Sequence, residues 1–264
     1  MIESLVNEQV KKVVKWKKSA KARREDGIFL VEGPKMTGEA IALGLARQVY
    51  VTEEFLNKEG KIVKDIPAGM LTAVSPAVLA QMSDTVTPQG ILCVTKRPSY
   101  SLSEILKKEE LSLLVLEDVQ DPGNVGTMLR TAEAAGVDAV ILSRGCADIL
   151  SPKVVRSTMG AIFRLPFFVA EDFFGSLLEL KQAGICFYAA HLQGTKEYQE
   201  ESFGKRTAIL IGNESKGLTR EVSEFADVRV KIPMCGRVES LNASVAAALL
   251  MYERRYPHED SSGN

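Results

Sequence analysis

Residues 111–142 constrain this chain more than any other stretch; they read LSLLVLEDVQDPGNVGTMLRTAEAAGVDAVIL. Leu111 to Leu116 is an unbroken apolar run, the pattern of a parallel strand covered on both faces. A turn rich in Asp, Pro, Gly and Asn follows. Val125, Met128, Leu129, Ala132 and Ala135 then recur at i, i+3, i+4, i+7 and i+10, a helical stripe that Gly136 can end. Residues 137–142 form a second apolar strand. Such a β–loop–α–β unit belongs to an open α/β sheet, where ligands bind in the loops at the carboxyl ends of strands. Arg130 lies in the helix but off the stripe, on a face with Gly126, Thr127 and Ala134. It either reaches past those small neighbours to a ligand or covers apolar surface with its stem.

The 264 residues leave room for two domains, and a net charge of -1 excludes a polycation, so an acidic partner must meet a local basic patch. No apolar stretch reaches the length of a membrane span, and the N-terminus lacks a leader pattern; a cytoplasmic location is expected, with no membrane partner. The four cysteines, Cys93, Cys146, Cys186 and Cys235, are scattered and three adjoin apolar runs, which reads as reduced residues rather than a metal knot. His191 has no ligand-like neighbour. His258, beside Glu259 and Asp260, lies in a polar tail without a second histidine or a cysteine near, so no metal is expected. Asn242-Ala243-Ser244 matches the glycosylation pattern by chance.

Residues 3–24 read as one helix with an apolar side of Val6, Val10, Val13 and Val14. Its second half carries Lys11, Lys12, Lys15, Lys17, Lys18, Lys21, Arg23 and Arg24 around Trp16. It is either a phosphate-contacting face or a solvated one with Trp16 turned inward. Short strands and helices alternate from Ile28 to Val94, giving a small α/β domain over 1–95 and a linker over 96–108. The second domain, 109–264, continues the β–loop–α–β unit. A short helix over 152–159 carries Lys153 and Arg156, and Arg164 stands near the start of a strand within 163–169. Further strands are expected at 185–189, 207–211 and 228–232. A helix is expected over 240–252, capped by Ser240.

Three strands thus end in polar or glycine-containing loops, 121–126, 212–217 and 234–242. Like-directed strand ends lie on one edge, so these loops can converge on one pocket. Asn124, Glu214, Ser240 and Asn242 would surround a ligand there, with Arg130 near. No Walker loop is present, and no G-x-G-x-x-G follows the first strand, which disfavours a common dinucleotide fold.

These loops carry a resemblance. Asp121-Pro122-Gly123-Asn124-Val125-Gly126-Thr127-Met128-Leu129-Arg130-Thr131-Ala132, Ile211-Gly212-Asn213-Glu214-Ser215-Lys216-Gly217-Leu218 and Ile232-Pro233-Met234-Cys235-Gly236-Arg237-Val238-Glu239-Ser240-Leu241-Asn242-Ala243-Ser244 are similar, in content and order, to the motifs of the SpoU (TrmH-like) RNA ribose 2'-O-methyltransferases of the SPOUT superfamily. Pro152-Lys153-Val154-Val155-Arg156, leading to Met159-Gly160-Ala161, resembles the family's intermediate segment, and Phe29-Leu30-Val31-Glu32-Gly33 resembles its accessory RNA-binding domain. The resemblance implies an α/β fold of SPOUT type, a mostly parallel sheet with helices on both faces and a C-terminal trefoil knot, which general rules of topology would not suggest. It implies S-adenosylmethionine as cofactor, held by Gly212, Ile232, Met234, Leu241 and Ala243. It implies a catalytic set of Arg130, Asn124, Glu214, Ser240 and Asn242, in which Glu214 and Asn124 orient the arginine and the first loop. It also implies a homodimer through the catalytic domain, with 240–252 at the interface.

RNA contacts are expected from Lys11, Lys12, Lys15, Lys18, Lys21, Arg23, Arg24, Arg156 and Arg164. Large-subunit (23S) ribosomal RNA is the first expectation for the substrate. The alternatives are a transfer-RNA ribose methyltransferase and a non-catalytic RNA-binding or ribosome-assembly protein on the same fold.

Overall fold

The computed structural model describes residues 1–58, 62, 64, 66, 67 and 69–257. His258, Glu259 and Asp260, with the rest of the polar tail to 264, lie outside the described residues. Two compact units divide the chain: Met1–Ser99 together with Asp148–Phe163, and Tyr100–Ala147 together with Arg164–Asn264.

The first unit is built on a four-stranded sheet of β1 (Ile28–Glu32), β2 (Ala46–Val51), β3 (Leu71–Ala73) and β4 (Ile91–Lys96), in the order β1-β4-β2-β3. β4 is antiparallel to both neighbours, and β2 runs parallel to β3. Alternate side chains of β1 and β4 pack against Val10, Val13 and Trp16 of the first helix and against Val78, Leu79 and Met82 of the helix Pro76–Met82. The basic N-terminal segment is two helices rather than one, Glu8–Lys18 and Ala20–Asp26. Ser19 ends the first and caps the second, its hydroxyl accepting from Ala22 N–H at 3.2 Å.

The segment Asp148–Phe163 lies in sequence among the strands of the second unit, yet belongs to the first. Its helix Pro152–Ser157 buries Val154 and Val155 and packs on β1, while the ring of Phe163 lies 5.8 Å from that of Phe29. A domain drawn continuously from residue 109 therefore does not describe this segment. Apolar spacing assigns a helix, but not the surface that the helix covers.

The second unit holds seven strands: β5 (Leu111–Leu116), β6 (Ala139–Leu142), β7 (Phe167–Val169), β8 (Cys186–Ala190), β9 (Lys196–Glu197), β10 (Arg206–Ile211) and β11 (Val228–Lys231). The order is β7-β6-β5-β10-β8-β11-β9, and every pair is parallel. All six residues of β5 are buried, as its continuous apolar run requires. Each buried leucine there contributes about 2 kcal/mol. The helix after β5, Pro122–Ala134, buries Val125, Met128, Leu129 and Ala132. Gly136, at φ 71°, closes it with a bond from Val137 N–H to the Ala132 carbonyl at 2.9 Å. The last helix, Ala243–Arg255, packs on Pro122–Ala134 and on β10.

β5 is the point where the sheet turns. The chain proceeds from it to β6 and β7 on one side, and β10 occupies the other. Leu116 and Ile211 are paired in register, so the loops that leave β5 and β10 start side by side. That crevice is where an open parallel sheet binds ligands.

Candidate functional site

Glu117, first residue after β5, is 6% exposed, and its carboxylate accepts from both the N–H and the hydroxyl of Thr219 at 2.7 Å. Asp118 adopts φ 52°, in the left-handed region that non-glycine residues rarely occupy. Its N–H donates to Ser143 Oγ at 2.9 Å, that hydroxyl donates to Asp118 Oδ1 at 2.6 Å, and its carbonyl accepts from Asn213 Nδ2 at 2.8 Å. Asp121 caps the helix Pro122–Ala134 by accepting from Asn124 N–H at 2.8 Å. The first loop is therefore held from three directions before any catalytic candidate is considered.

Glu214 comes from the loop after β10. One carboxylate oxygen accepts from Asp121 N–H at 2.9 Å and from Asn124 Nδ2 at 3.0 Å; the other accepts from Gln120 N–H at 3.1 Å. Asn124 Oδ1 in turn accepts from Asn242 Nδ2 at 3.0 Å. Asn242 Oδ1 accepts from Ser244 N–H at 2.8 Å, Ser244 Oγ at 2.6 Å and Val245 N–H at 3.4 Å, which makes Asn242 the cap of the last helix. The cap is thus Asn242 and not Ser240: the helix begins at Ala243, and only the residue before it can reach the first free N–H groups.

The amides of both asparagines have one possible sense. Backbone donors at one end require an oxygen of Asn242, and the carboxylate of Glu214 at the other end requires a donor of Asn124. The chain Asn242 to Asn124 to Glu214 therefore joins the three strand-end loops. Burial raises the pKa of Glu214, but donation from the Asn124 amide and from the backbone N–H groups of Asp121, Glu214 and Gln120 outweighs it and holds the carboxyl below its ordinary range.

Arg130 stands six residues beyond Asn124 in the same helix. It is exposed and makes no hydrogen bond or ion pair among the described residues. Glu214 and Asn124 therefore position the first loop, through bonds to each other, to the loop backbone and to Asn242, and neither bonds the arginine. Ser240 is exposed and likewise bonds no neighbour among the described residues.

Gly212 is buried, and a Cβ there would lie 2.2 Å from the Gly217–Leu218 peptide. Only glycine lets the second loop fold back through the Asn213–Gly217 bridge. Ile232, Met234, Leu241 and Ala243 are half-buried around the third loop. Residues 233–241 make no backbone–backbone hydrogen bond among the described residues, which leaves their N–H and C=O groups to a ligand or to water. Half-buried apolar side chains beside free backbone donors and acceptors suit a flat heteroaromatic ligand with a polar edge.

The basic residues fall into two groups. Lys15, Lys18, Lys21 and Arg24 are exposed, Lys21 with Glu25 at 3.8 Å. Lys11 meets Glu8 at 2.8 Å, and Lys12 lies 5.0 Å from the centre of the Trp16 ring. Trp16 is turned inward, its Nε1–H donating to Asp26 at 2.6 Å.

Arg23 departs from expectation. It is 3% exposed, donates to the carbonyls of Trp16 and Lys17, and pairs with Asp148, so no phosphate can reach it. Arg156 is half-exposed and pairs with Asp84 at 3.1 Å. Arg164 ends the short helix Ala161–Arg164 and pairs with Glu133 at 2.7 Å. Glu117, Asp118, Ser143, Asn213 and Thr219, which build the frame of the site, were not singled out in the sequence. Glu117, Asp118 and Ser143 directly follow β5 and β6, and Asn213 and Thr219 belong to the stretch after β10.

The described residues hold no group of three His, Cys, Asp or Glu side chains placed for a metal ion, and no helix among them is long and apolar enough to cross a membrane. Burial pushes the Cys93 thiol up to about 11, which makes it an inert core residue.

Residues 112–252 match the model of the SpoU rRNA Methylase family. The chain belongs to that family. Residues 7–93 match the MRM3-like substrate binding domain. The 23S rRNA (guanosine(2553)-2'-O)-methyltransferase RlmP of Bacillus subtilis (strain 168) is 36% identical over 258 residues, which cover 96% of this chain and 98% of RlmP. An AdoMet-bound rRNA methyltransferase from Sinorhizobium meliloti superposes with a TM-score of 0.84 at 30% identity, over 96% of each chain. The SpoU methyltransferase AviRb from Streptomyces viridochromogenes does so with a TM-score of 0.84 at 25% identity, over 94% of this chain and 96% of AviRb. The SpoU match thus spans the three joined loops.

Proposed function

We propose that this chain transfers a methyl group from S-adenosylmethionine to a ribose 2'-hydroxyl of RNA, and that large-subunit ribosomal RNA is the substrate. The observation that carries the reading is the Asn242–Asn124–Glu214 chain, which joins three strand-end loops of a SpoU-family unit at the start of the helix that carries the exposed Arg130. The coverage of RlmP, across both units and nearly end to end, supports ribosomal RNA over transfer RNA.

Gly212, Ile232, Met234, Leu241 and Ala243 would hold the cofactor, with the free backbone groups of 233–241 reading its polar edge. When bound, it supplies a methyl group already activated on a sulfonium. The protein's own task is therefore the nucleophile, because a ribose hydroxyl is neutral at physiological pH and carries negative charge as it reacts. Arg130 is assigned to that charge. A guanidinium is a poor base, so it acts by donating N–H bonds to the 2'-oxygen, stabilising the oxyanion while the proton passes to water. Asn124 and Glu214 set the start of the Arg130 helix, Asn242 sets the third loop, and the exposed Ser240 is assigned to the substrate.

Substrate capture is assigned to residues 1–95 together with the inserted segment 148–163, and chemistry to the rest of 109–264, joined by 96–108. Lys11, Lys12, Lys15, Lys18, Lys21 and Arg24 form the phosphate-contacting face, with Arg156 and Arg164 as exposed secondary contacts. A C-terminal trefoil knot, a cytoplasmic location and a homodimer through the last helix complete the reading. Val245, Tyr252 and Tyr256, exposed on or beside that helix, support the dimer.

The test is methyl transfer from labelled S-adenosylmethionine to ribosomal and transfer RNA from cells lacking the gene, with Arg130→Ala as control. A 2'-O-methyl nucleoside at one ribosomal position, absent with the variant, is expected. Label confined to transfer RNA would overturn the substrate, and cofactor binding without transfer to RNA or to ribosomal particles would overturn the activity.

A further inference from the structure

The first unit contains a pocket of about 560 Å³ that none of the chemistry above uses. Its lining includes buried apolar side chains, Leu30 of β1, Met36 of the helix Pro34–Ala42 and Val155, together with Met159 of the segment Asp148–Phe163. Its size lies within the range of sites for small organic groups and is far larger than an ion needs. Met159 is half-exposed and held at φ 51°, followed by Gly160 at φ 99°. A non-glycine residue kept in that conformation, with an apolar side chain facing water, marks a contact surface rather than a core position. The thioethers of Met36 and Met159 supply polarisable contacts for a planar ring.

The mouth is polar. Lys35 is exposed and stands at the start of a helix that no side chain caps. Arg156 stands at the pocket edge beside Asp84. Thr87 and Gln89 line the opening without a hydrogen-bond partner among the described residues, and Gln89 lies so close over Gly33 that a Cβ there would be 2.3 Å from Gln89 Oε1. The one carboxylate in the lining, Glu32, already accepts from Ser83, Asp84 and Thr85. A lining whose one carboxylate is already hydrogen-bonded, with Lys35 and Arg156 as its cations, suits a neutral ring tethered to phosphates and disfavours a bare anion.

We propose that this pocket receives one unpaired nucleobase of the substrate RNA, its edge read by Gln89 and Thr87 and its flanking phosphates met by Lys35 and Arg156. The inference rests on the reading of this chain as an enzyme acting on RNA. A base within a duplex presents neither face to a side chain, so the pocket selects single-stranded or bulged segments.

Fluorescence anisotropy with a labelled mixed-sequence single strand of about ten nucleotides, and with a blunt duplex of equal length, tests it. Thr87→Trp fills the pocket from an exposed loop, and Lys35→Ala removes a rim cation at another exposed position. Each is expected to weaken single-strand binding about tenfold while duplex binding stays within about twofold. Unchanged single-strand binding in both variants, or equal losses for strand and duplex, overturns the pocket. Competition by the four nucleoside monophosphates separates the two sources of a base; displacement at the strand's own affinity would assign the site to a free nucleotide and overturn the RNA occupant. The binding readout needs no methyl transfer. A failed pocket in an active enzyme and a working pocket in a protein that methylates nothing are therefore distinct results.

Discussion

The side-chain amide of Asn242 donates to the side-chain carbonyl of Asn124 across 3.0 Å, joining residues 118 positions apart. The same Asn242 caps the last helix with its other side-chain atom. One residue thus ties the start of the C-terminal helix to the loop after β5, and the two duties are separable.

Asn242→Asp keeps an oxygen for Ser244 and Val245 and so keeps the cap, but it has no hydrogen to give Asn124. Asn242→Ala loses both. Thermal melting is expected to show a loss of about 1 kcal/mol for the alanine variant and little change for the aspartate. Methyl transfer should fall in both. An aspartate variant with full activity would remove the loop-joining role.

Arg130 is exposed and makes no hydrogen bond or ion pair among the described residues, so its substitution should cost the fold little. Arg130→Lys keeps the charge but not the planar pair of donors. The melting temperature should be unchanged and kcat should fall about a hundredfold. A parallel loss of stability and activity would show that the arginine supports structure instead.

The carboxyl of Glu214 is held below its ordinary value near 4.5. A depressed folded-state pKa adds stability that is present above the ordinary value and is lost as pH falls through the folded one. The melting difference between wild type and Glu214→Gln should therefore be constant at neutral pH and shrink as pH drops below about 4.5. A difference that persists unchanged into acid would mean that the carboxylate's charge is not what the loop donors hold.

Arg23 and the exposed lysines share one helical segment but not one role. Arg23→Ala strands Asp148 and two carbonyls, and is expected to cost about 3 kcal/mol of stability in urea titration. Lys15→Ala, Lys18→Ala and Lys21→Ala together should leave that titration unaltered and flatten the salt dependence of RNA binding. An unaltered salt slope would move the RNA clamp elsewhere.

The β5–helix–β6 unit was legible because its signals are local: six consecutive apolar residues, a helical stripe and a closing glycine. The three loops were legible as strand ends, and their motifs named the residues that meet there. The burial of Arg23 was not, since its partner lies 125 positions away and a run of basic residues looks the same whether a given member is solvated or paired. The choice of Asn242 over Ser240 as cap turned on where the chain first becomes helical, which two good capping residues so close together do not decide. The ties from Glu117 to Thr219 and from Asn213 to Asp118 are long-range bonds between ordinary polar residues, with no periodicity to announce them.

β10 is the sixth strand of its unit to be made and the central one in its sheet. Without it, β5, β6 and β7 form one patch and β8, β11 and β9 another, with no ladder between them. From Leu116 to Ile211 is 211 − 116 = 95 residues, or about 5–20 seconds of synthesis at ordinary rates of about 5–20 residues per second. For that interval the nascent chain carries an open edge on β5, made of some of its most apolar sequence. The keystone strand therefore makes this a late-closing fold, whose period of greatest exposure to aggregation and to chaperones is set by the translation clock rather than by the stability of the finished protein.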